Sequence, residues 1–321
     1  MAIISVKRLN PTSKSNNDTG FGTNPNSYGG RFINKDGSYN VRKDGISVWD
    51  RFSVYHNMLE MPRWKFFLAI VVFFVCINII FTVVYVMLGT GCFQGFIAQT
   101  EWDKIKELYF FSTETFTTVG YGRVNPISDS ANIIASFEAM LGFLSFALAT
   151  GLIYGRFSRP RAHLIFSDRA LIAPFKDMTA LMFRMVPYKD GHTMTDVDIK
   201  VTCSFKVEEN GESTYKFFSL PLERSHVDSL MMNWTVVHPI DENSPLYGFT
   251  TEDMTNADLE VYVLVRGFDD VYSNTVLERT SYTFDEIIFN TKFEPMYHES
   301  EDGKTTILEI DKIHEYKVIS N

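Results

Sequence analysis

Two long apolar stretches constrain the fold of this 321-residue chain more than any other feature. Residues 66–88 are interrupted only by Asn78 and Thr82, and residues 131–154 carry Glu138 as their only charged residue. A bilayer core of about 30 Å requires roughly 20 consecutive apolar residues in a helix, so each stretch is long enough to cross it. The chain is therefore predicted to contain two membrane-spanning helices.

A shorter segment between the two spans is the most informative part of the chain. Residues 103–116 are compatible with a helix but too short to cross a membrane, and Thr-Val-Gly-Tyr-Gly follows them at 118–122. Backbone carbonyls that point at a common axis can replace the water around a dehydrated potassium ion, provided that several copies surround the axis. Glycine permits the backbone angles that such a segment needs. Four copies is the expected number.

Residues 118–122 are therefore predicted to form a potassium selectivity filter, in which the carbonyls of the first four residues bind K⁺. The five residues are Thr118, Val119, Gly120, Tyr121 and Gly122. No cofactor is expected apart from the permeant ion. A coincidental turn in a soluble loop is the alternative. The two flanking spans argue against it, because irregular backbone at membrane depth survives only inside protein or beside water.

Basic residues mark one side of the predicted membrane. They precede the first span or follow the second, and they are Arg63, Lys65, Arg156, Arg159 and Arg161. The positive-inside rule predicts that both chain termini lie in the cytoplasm and that the loop 89–130 lies outside. The chain is predicted to be a multi-pass protein of the plasma (inner) membrane.

The composition changes after the second span. Residues 163–321 carry 14 Lys and Arg against 28 Asp and Glu, whereas residues 1–162 carry 16 against 11. An acidic domain repels nucleic acid, so no nucleic-acid partner is expected. Runs rich in β-formers, such as 197–207, 234–238 and 260–266, alternate with turn clusters. This pattern predicts an antiparallel β-sandwich.

The chain before the first span divides into a cytoplasmic segment, residues 1–46, and an amphipathic segment, residues 47–60. In the second segment, apolar residues recur at helical spacing with charged residues between them, which is typical of a helix lying on a membrane surface. An ordinary soluble helix is the alternative. The pore domain is then predicted at 61–157, and a linker at 158–162 leads to the β-sandwich at 163–321.

Enzymatic function is not expected for this chain. Cys76, Cys92 and Cys203 have no metal-binding spacing, no glycine-rich nucleotide motif follows a strand, and no nucleophile and base are paired. One rival function is a non-conducting membrane sensor whose β-sandwich binds a partner. A second rival is an enzyme domain on a membrane anchor.

Several stretches together resemble the inward-rectifier potassium channels, including their bacterial members, from about Arg31 to the C-terminus. The stretches are residues 31–37 with Asn40-Val41, residues 112–122, residues 156–160, and His-Pro-Ile-Asp-Glu-Asn-Ser-Pro-Leu-Tyr at 238–247. The resemblance implies a homotetramer with two spans and a re-entrant pore helix in each subunit. It also implies an immunoglobulin-like cytoplasmic β-sandwich that extends the pore inward. A prokaryotic member is expected.

The resemblance assigns roles to further residues near the pore. Glu114 and Arg123 would form an ion pair behind the filter, unless Arg123 is a solvated residue of the outer mouth. The resemblance assigns no role to Glu138, but as an intramembrane acid it is expected to be functional or paired: it would support the filter or the cavity, or else be a protonated, hydrogen-bonded packing residue. Gly142 corresponds to a hinge, although close helix packing is equally compatible. Tyr154 corresponds to a gate at the inner helix bundle, or to an interfacial tyrosine.

Three departures separate the chain from the eukaryotic members of the family. Only Cys92 lies in the outer loop, so the paired cysteines of those members are absent. Phe146 stands where strong rectifiers carry an acid, so polyamines and Mg²⁺ are expected to be weak blockers. Arg123 follows Gly122 directly, without an intervening residue.

The resemblance also implies binding of a phosphoinositide or another anionic lipid. The residues would be Arg63, Trp64, Lys65, Arg156, Arg159, Arg161 and Lys189. The alternative is that these basic residues only set the orientation of the chain in the membrane. The loop that narrows the cytoplasmic pore corresponds to Gly267, Phe268, Asp269 and Asp270. Its two acids would ring the pore axis, unless they are solvated residues at a hairpin tip.

Overall fold

The computed structural model describes residues 4–5, 9–16, 20, 30–47, 53–209 and 211–319. Contacts divide the chain into two units. The helical unit is Asp44–Arg159, and the strand unit combines Met1–Lys43 with Pro160–Asn321. The junction between Arg159 and Pro160 falls inside the predicted linker at 158–162.

Within the described residues, the helical unit contains four α-helices. They are α1 Val54–Glu60, α2 Arg63–Leu88, α3 Glu101–Phe116 and α4 Asp129–Phe157. The two predicted spans lie in α2 and α4, and both helices are long and apolar enough to cross a membrane. Large apolar side chains cover their outer surfaces as well as their contacts. A helix that is apolar all round is typical of a membrane span.

Side-chain caps determine where α3 and α4 begin. The Thr100 hydroxyl accepts a hydrogen bond from the N–H of Asp103 at 3.2 Å, so α3 starts at Glu101 rather than at 103. The Ser128 hydroxyl accepts from the N–H of Ala131 at 3.3 Å, so α4 starts at Asp129 rather than at 131. Both helices are therefore longer than the apolar stretches that predicted them.

The predicted surface helix at 47–60 is shorter in the structure. Ser53 caps α1 by accepting from the N–H of His56 at 3.3 Å, so the helix begins at Val54. Ser47 and Ser53 are not helical, and residues 48–52 lie outside the described residues. The prediction that the helix includes residue 47 is therefore wrong at that residue, because the Ser53 side chain caps the helix, whose first residue is Val54.

Within the described residues, two larger sheets and two short ribbons form the strand unit. Its strands are β1 Ile4–Ser5, β4 Leu164–Phe166, β5 Ala170–Phe175, β6 Met178–Pro187, β7 Met194–Glu209, β8 Glu212–Ser219, β9 His226–Leu230, β10 Trp234–Ile240, β11 Glu260–Asp269, β12 Asn274–Thr283, β13 Ile287–Phe289, β14 Thr291–Phe293, β15 Tyr297–Glu299, β16 Thr306–Leu308 and β17 Tyr316–Val318. The numbers β2 and β3 denote Phe93–Gln94 and Asn125–Pro126, which pair in the helical unit. A short helix, α5, spans Thr251–Asn256.

The sheet topology is that of a two-layer sandwich. One sheet has the order β1-β7-β11-β12, with β8 and β9 also paired to β7. The other has the order β10-β6-β5-β13, with β4 paired to β6. Pairing is antiparallel except for β1 with β7 and β13 with β5. Apolar residues from both sheets form the main core, as the predicted β-sandwich requires.

The stretch 31–41 packs on the strand unit as a tight turn rather than as a regular strand. Only an isolated bridge, Ile33 to Tyr39, forms within it. The ring of Phe32 contacts three aromatic rings edge-on, those of Tyr215, Phe217 and Tyr262. The N–H of Phe32 donates to the Glu260 carboxylate at 3.0 Å, and Arg31 pairs with Glu286 at 2.9 Å. A side-chain acceptor therefore satisfies part of the backbone of this stretch.

His238 anchors the stretch 238–247 to the segment around Pro221 of the same chain. Its Nδ1–H donates to the carbonyl of Pro221 at 2.6 Å, because a carbonyl can only accept. Its Nε2 is therefore the acceptor and receives the hydroxyl hydrogen of Ser244 at 2.8 Å. Burial holds the pKa of His238 below its usual value of 6.5. The folded strand unit therefore favours the neutral imidazole.

This arrangement predicts that acidification destabilises the strand unit. A base with a lowered pKa in the folded state contributes full stability above the unfolded pKa of about 6.5, and that stability is lost as the pH falls below it. Each proton taken up on unfolding changes the free energy of unfolding by about 1.4 kcal/mol per pH unit. Thermal unfolding of the full-length protein in detergent, from about pH 7.5 to about pH 5, measures the slope.

The variant His238→Gln should have a smaller slope over this range. Equal slopes for the parent and His238→Gln would contradict the assignment.

Candidate functional site

The last turn of α3 holds the backbone of residues 118–122. The N–H groups of Val119 and Gly120 both donate to the carbonyl of Glu114, at 2.9 and 3.2 Å. Successive N–H groups that converge on one acceptor form a backbone nest. Among the described residues, no group donates to the carbonyls of residues 118–121, whereas the Gly122 carbonyl accepts from Asn125 at 2.7 Å. Four successive carbonyls are therefore available to a ligand.

The backbone conformation alternates along this segment. Thr118, Gly120 and Gly122 have φ values of +59°, +54° and +79°, and Val119 and Tyr121 between them do not have positive φ. For a β-branched residue such as Thr118, the left-handed region is a true outlier. It costs about 1–2 kcal/mol, and such strain persists where the surrounding structure imposes it, often at functional sites. All five residues are exposed, so one chain forms one wall of a site.

Arg123 has a different partner from the predicted one. Its guanidinium lies 2.9 Å from the carboxylate of Glu107, and no contact joins it to Glu114 within the described chain. Glu107 is nearly buried and also accepts from the N–H of Ile97 at 3.3 Å. The chain turns back after the filter and runs beside the middle of α3, because β2 and β3 pair there. The predicted Glu114–Arg123 pair is therefore wrong for contacts within one chain.

Glu138 and Gly142 lie on the face of α4 that packs against α3. Glu138 is fully buried and accepts hydrogen bonds from the hydroxyls of Tyr85 and Ser112. A Cβ atom on Gly142 would clash with the carbonyl group of Phe116, at the end of α3. Both residues therefore contact α3 directly. Neither one lies on the exposed face of α4.

Phe146 and Tyr154 lie on the exposed surface of α4, with 75% and 73% of their surfaces accessible in the single chain. Phe146 borders a cavity of about 420 Å³ below the filter, which Thr117, Thr118 and Gly142 also line. The cavity walls are mainly apolar side chains of α2 and α4. An acid that would attract a multivalent cation is absent from the residues that line this cavity.

The predicted lipid-binding residues of the helical unit fall into two groups. Arg156 donates to the carbonyls of Met58 and Met61, at 3.3 and 2.5 Å, and Arg159 lies 3.5 Å from the carboxylate of Glu60. These two cations therefore tie α1 to the end of α4.

The second group is Arg63, Trp64 and Lys65, at the start of α2. All three are exposed, and the Lys65 ammonium lies 5.4 Å from the centre of the Trp64 ring. Neither cation of this group forms an ion pair within the described part of the chain. In the strand unit, Arg161 and Lys189 are both exposed.

The two acids of the predicted pore loop differ in the structure. The loop joins β11 and β12, and Asp270 is exposed at its tip. Asp269 is fully buried, pairs with His192 at 3.0 Å and accepts from the N–H of Tyr272 at 2.9 Å. Its carboxylate is therefore part of the loop structure, and the prediction that it rings the pore axis is wrong for this chain. Gly267 lies at a bulge in β11, and Phe268 is partly exposed.

Three residues of this site were not predicted from the sequence: Glu107, Tyr85 and Ser112. Glu107 precedes Glu114 by two helical turns, so both carboxylates lie on the same face of α3. Helical spacing alone therefore could not show which of the two pairs with Arg123. Tyr85 and Ser112 are polar residues near or within apolar segments, and such residues usually find buried partners in membrane proteins. That signal does not identify the partner.

The ion pair generates a double-mutant prediction. The variants Glu107→Gln and Arg123→Gln should show a coupling of about 1 kcal/mol in the free energy of unfolding, because the carboxylate is nearly buried and the guanidinium is partly exposed. The matched cycle of Glu114→Gln with Arg123→Gln should give a coupling near zero. Denaturant unfolding of the assembled protein in detergent provides both values. Coupling of Arg123 to Glu114 instead of Glu107 would contradict the assigned pair.

Comparisons with known proteins agree with these features. The family described as inward rectifier potassium channel C-terminal domain matches residues 164–320, and the family described as ion channel matches residues 72–159.

Three relatives match most of the chain. The inward rectifier potassium channel Kirbac3.1 of Paramagnetospirillum magnetotacticum is 31% identical over 287 residues, which is 89% of this chain and 95% of the relative. The ATP-sensitive inward rectifier potassium channel 12 of Mus musculus and that of Homo sapiens are each 26% identical over 311 residues. Those matches cover 85% of this chain and 68% and 67% of the relatives.

The matched family regions include most of the first span, all of the second, residues 118–122 and the β-sandwich, and the similarity extends over almost the full length of the bacterial relative. The protein is an ion channel of the membrane and not an enzyme. The chain belongs to the inward-rectifier potassium channel family.

Proposed function

We propose that this chain is one subunit of a homotetrameric channel that conducts K⁺ passively through a filter formed by residues 118–122. The observation that supports this proposal best is the row of four successive carbonyls, from Thr118 to Tyr121, that accept no hydrogen bond within the described chain. Carbonyl oxygens from several subunits can together replace the hydration shell of K⁺. Both termini and the strand unit then lie in the cytoplasm, and the membrane is the plasma (inner) membrane. K⁺ is the permeant ion, and no cofactor is required.

Phe146 and Tyr154 line the conduction path in this proposal. Both are exposed aromatic residues of α4 in the single chain, where a symmetric assembly would bring four copies together. Four tyrosine rings at the inner end of the path can close it by excluding water. An apolar Phe146 gives multivalent cations no local charge, so block by polyamines or Mg²⁺ is weak.

Anionic lipid, such as a phosphoinositide, acts on the channel at the start of α2. Arg63 and Lys65 are exposed cations without ion-pair partners in the described chain, and each contributes about 1 kcal/mol toward an anionic surface. Arg156 and Arg159 connect α1 to the end of α4, which carries Tyr154. Lipid that binds one arrangement of this connection more tightly than another shifts the gate.

Substitution of Gly120 tests the filter. In Gly120→Ala the added Cβ meets open space within the chain, so the effect arises from the φ of +54°, which alanine rarely adopts. We expect K⁺ flux from reconstituted liposomes to be lost, or the K⁺ over Na⁺ preference to fall by at least roughly tenfold, since the strain costs about 1–2 kcal/mol per subunit. The control Gly91→Ala has open space and no positive φ, and it should conduct like the parent protein.

Parent-like selectivity in Gly120→Ala, with the tetramer intact, would contradict the filter assignment. Absence of K⁺ flux from the parent protein would contradict the proposed function.

The lipid site is tested by a dose-response measurement. Arg63→Gln and Lys65→Gln should each shift the half-maximal fraction of phosphatidylinositol bisphosphate in the vesicle by roughly fivefold, which corresponds to about 1 kcal/mol per charge. The direction of the lipid effect does not alter this test. Lys304→Gln, an exposed lysine in a turn of the strand unit, serves as the control and should leave the curve unchanged. Curves that coincide for all four proteins would leave only a topological role for the charges.

A further inference from the structure

A buried polar cluster joins the three long helices of the helical unit. Asn78 and Tyr85 from α2, Ser112 from α3 and Glu138 from α4 are each fully inaccessible in the single chain. The Ser112 hydroxyl lies 2.5 Å from one carboxylate oxygen of Glu138, and the Tyr85 hydroxyl donates to the other oxygen. Each carboxylate oxygen therefore receives a hydroxyl group, and each hydroxyl comes from a different helix.

The remaining polar atoms of the cluster also have polar neighbours at short distance. The side-chain amide oxygen of Asn78 lies 3.0 Å from the Ser112 hydroxyl, and its amide nitrogen donates to the carbonyl of Phe74 at 2.7 Å. The hydroxyl of Thr82 donates to the Asn78 carbonyl at 2.6 Å. A carboxyl group at membrane depth is costly unless it has such partners. A mere space-filling residue at position 138 would not require them.

The cluster lies one helical turn from a second close contact between α3 and α4. Ser112 and Phe116 are four residues apart on α3, and Glu138 and Gly142 are four residues apart on α4, so each pair occupies one face of its helix. Ser112 meets Glu138, and the Phe116 carbonyl meets Gly142. The inner helix therefore contacts the pore helix over two successive turns. Phe116 is only two residues before Thr118.

The carbonyl of Glu114, which accepts the N–H groups of Val119 and Gly120, lies between these two contacts on α3. Movement of α3 along or around its axis would displace this acceptor and with it the filter backbone. Among the described residues, Glu138 is the only ionisable side chain of α4 that restrains α3 in this region.

We propose that Glu138 is a positioning residue for ion selection. It locks α3 between α2 and α4 through Ser112 and Tyr85, and it thereby fixes the Glu114 carbonyl that orients the filter. The role rests on the proposed function of residues 118–122 and adds a residue that contacts neither the ion nor the filter. It depends on hydrogen bonding rather than on charge, because both partners are neutral hydroxyl groups.

The hydrogen-bonding basis predicts which substitution restores function. In Glu138→Gln the amide oxygen can accept from Tyr85, and the amide nitrogen can donate to Ser112, whose hydroxyl then donates to Asn78. In Glu138→Leu both hydroxyls lose their partner while the volume is nearly kept. Ser112→Ala and Tyr85→Phe each remove one hydroxyl without adding bulk, so they test the cluster even where Glu138→Leu does not assemble.

The experiment measures the K⁺ over Na⁺ permeability ratio of the full-length protein in liposomes, from reversal potentials, together with the thermal midpoint of the tetramer. We expect Ser112→Ala to lower the ratio by roughly tenfold, the effect of one lost buried hydrogen bond to a carboxylate, and Glu138→Leu, which loses two, to lower it at least as much. Glu138→Gln should stay within about twofold of the parent. The control Ser136→Ala removes an exposed hydroxyl on the same helix, which bonds only to the Asn132 carbonyl, and should leave the ratio unchanged.

Two results would overturn the inference while leaving the proposed channel function intact. One is an unchanged ratio in Glu138→Leu, Ser112→Ala and Tyr85→Phe, with only the thermal midpoint lowered, which would make the cluster purely structural. The other is a loss of selectivity in Glu138→Gln equal to that in Glu138→Leu, which would make charge the determinant. A parent protein without K⁺-selective flux would instead refute the proposed function itself.

Discussion

The need to satisfy backbone polar groups at membrane depth governs the rest of this structure. Helices satisfy their own backbone groups, but the segment 118–122 is not helical and lies between two spanning helices. The carbonyl of Glu114 satisfies two successive N–H groups of this segment, those of Val119 and Gly120. The four carbonyls that remain need either water or a cation. The position of one helix terminus thus determines the backbone shape of residues 118–122 and leaves their first four carbonyls without a hydrogen-bond donor in the described chain.

Two kinds of contact keep that terminus in place. Gly142 lets α4 approach the backbone at Phe116 closely, which is how helices commonly associate where lipid offers no hydrophobic driving force. Glu138 adds directional hydrogen bonds to α2 and α3 one turn away. Nearer the middle of α3, Glu107 holds Arg123 and the N–H of Ile97, so the chain after residue 122 is attached to the same helix. Residues 118–122 are therefore supported by α3, and α3 itself is contacted both near its C-terminal end and at its middle.

Charged residues serve either structure or interaction, and sequence position does not distinguish the two uses. Arg156 and Arg159 satisfy carbonyls and a carboxylate of α1, whereas Arg63 and Lys65 remain exposed and unpaired within the described chain. Asp269 and Asp270 are adjacent, yet Asp269 is buried against His192 while Asp270 is exposed. A charge with a fixed partner is neutralised within the chain, whereas a charge without an ion-pair partner can attract lipid or ions. These assignments therefore concern function as well as packing.

The sequence by itself determined the two spans, the short helix between them and the two-sheet domain, because these depend on local composition and spacing. Apolar length specifies a span, and a five-residue motif with glycines specifies an unusual backbone. Only the tertiary structure decided that Arg123 pairs with Glu107 rather than Glu114, that Gly142 packs against Phe116, and that Tyr85 and Ser112 meet Glu138. Helical spacing places Glu107 and Glu114 on one face, so it cannot choose between them. That choice follows from where the chain turns back after the filter, and a contact between residues distant in sequence is set by such geometry alone.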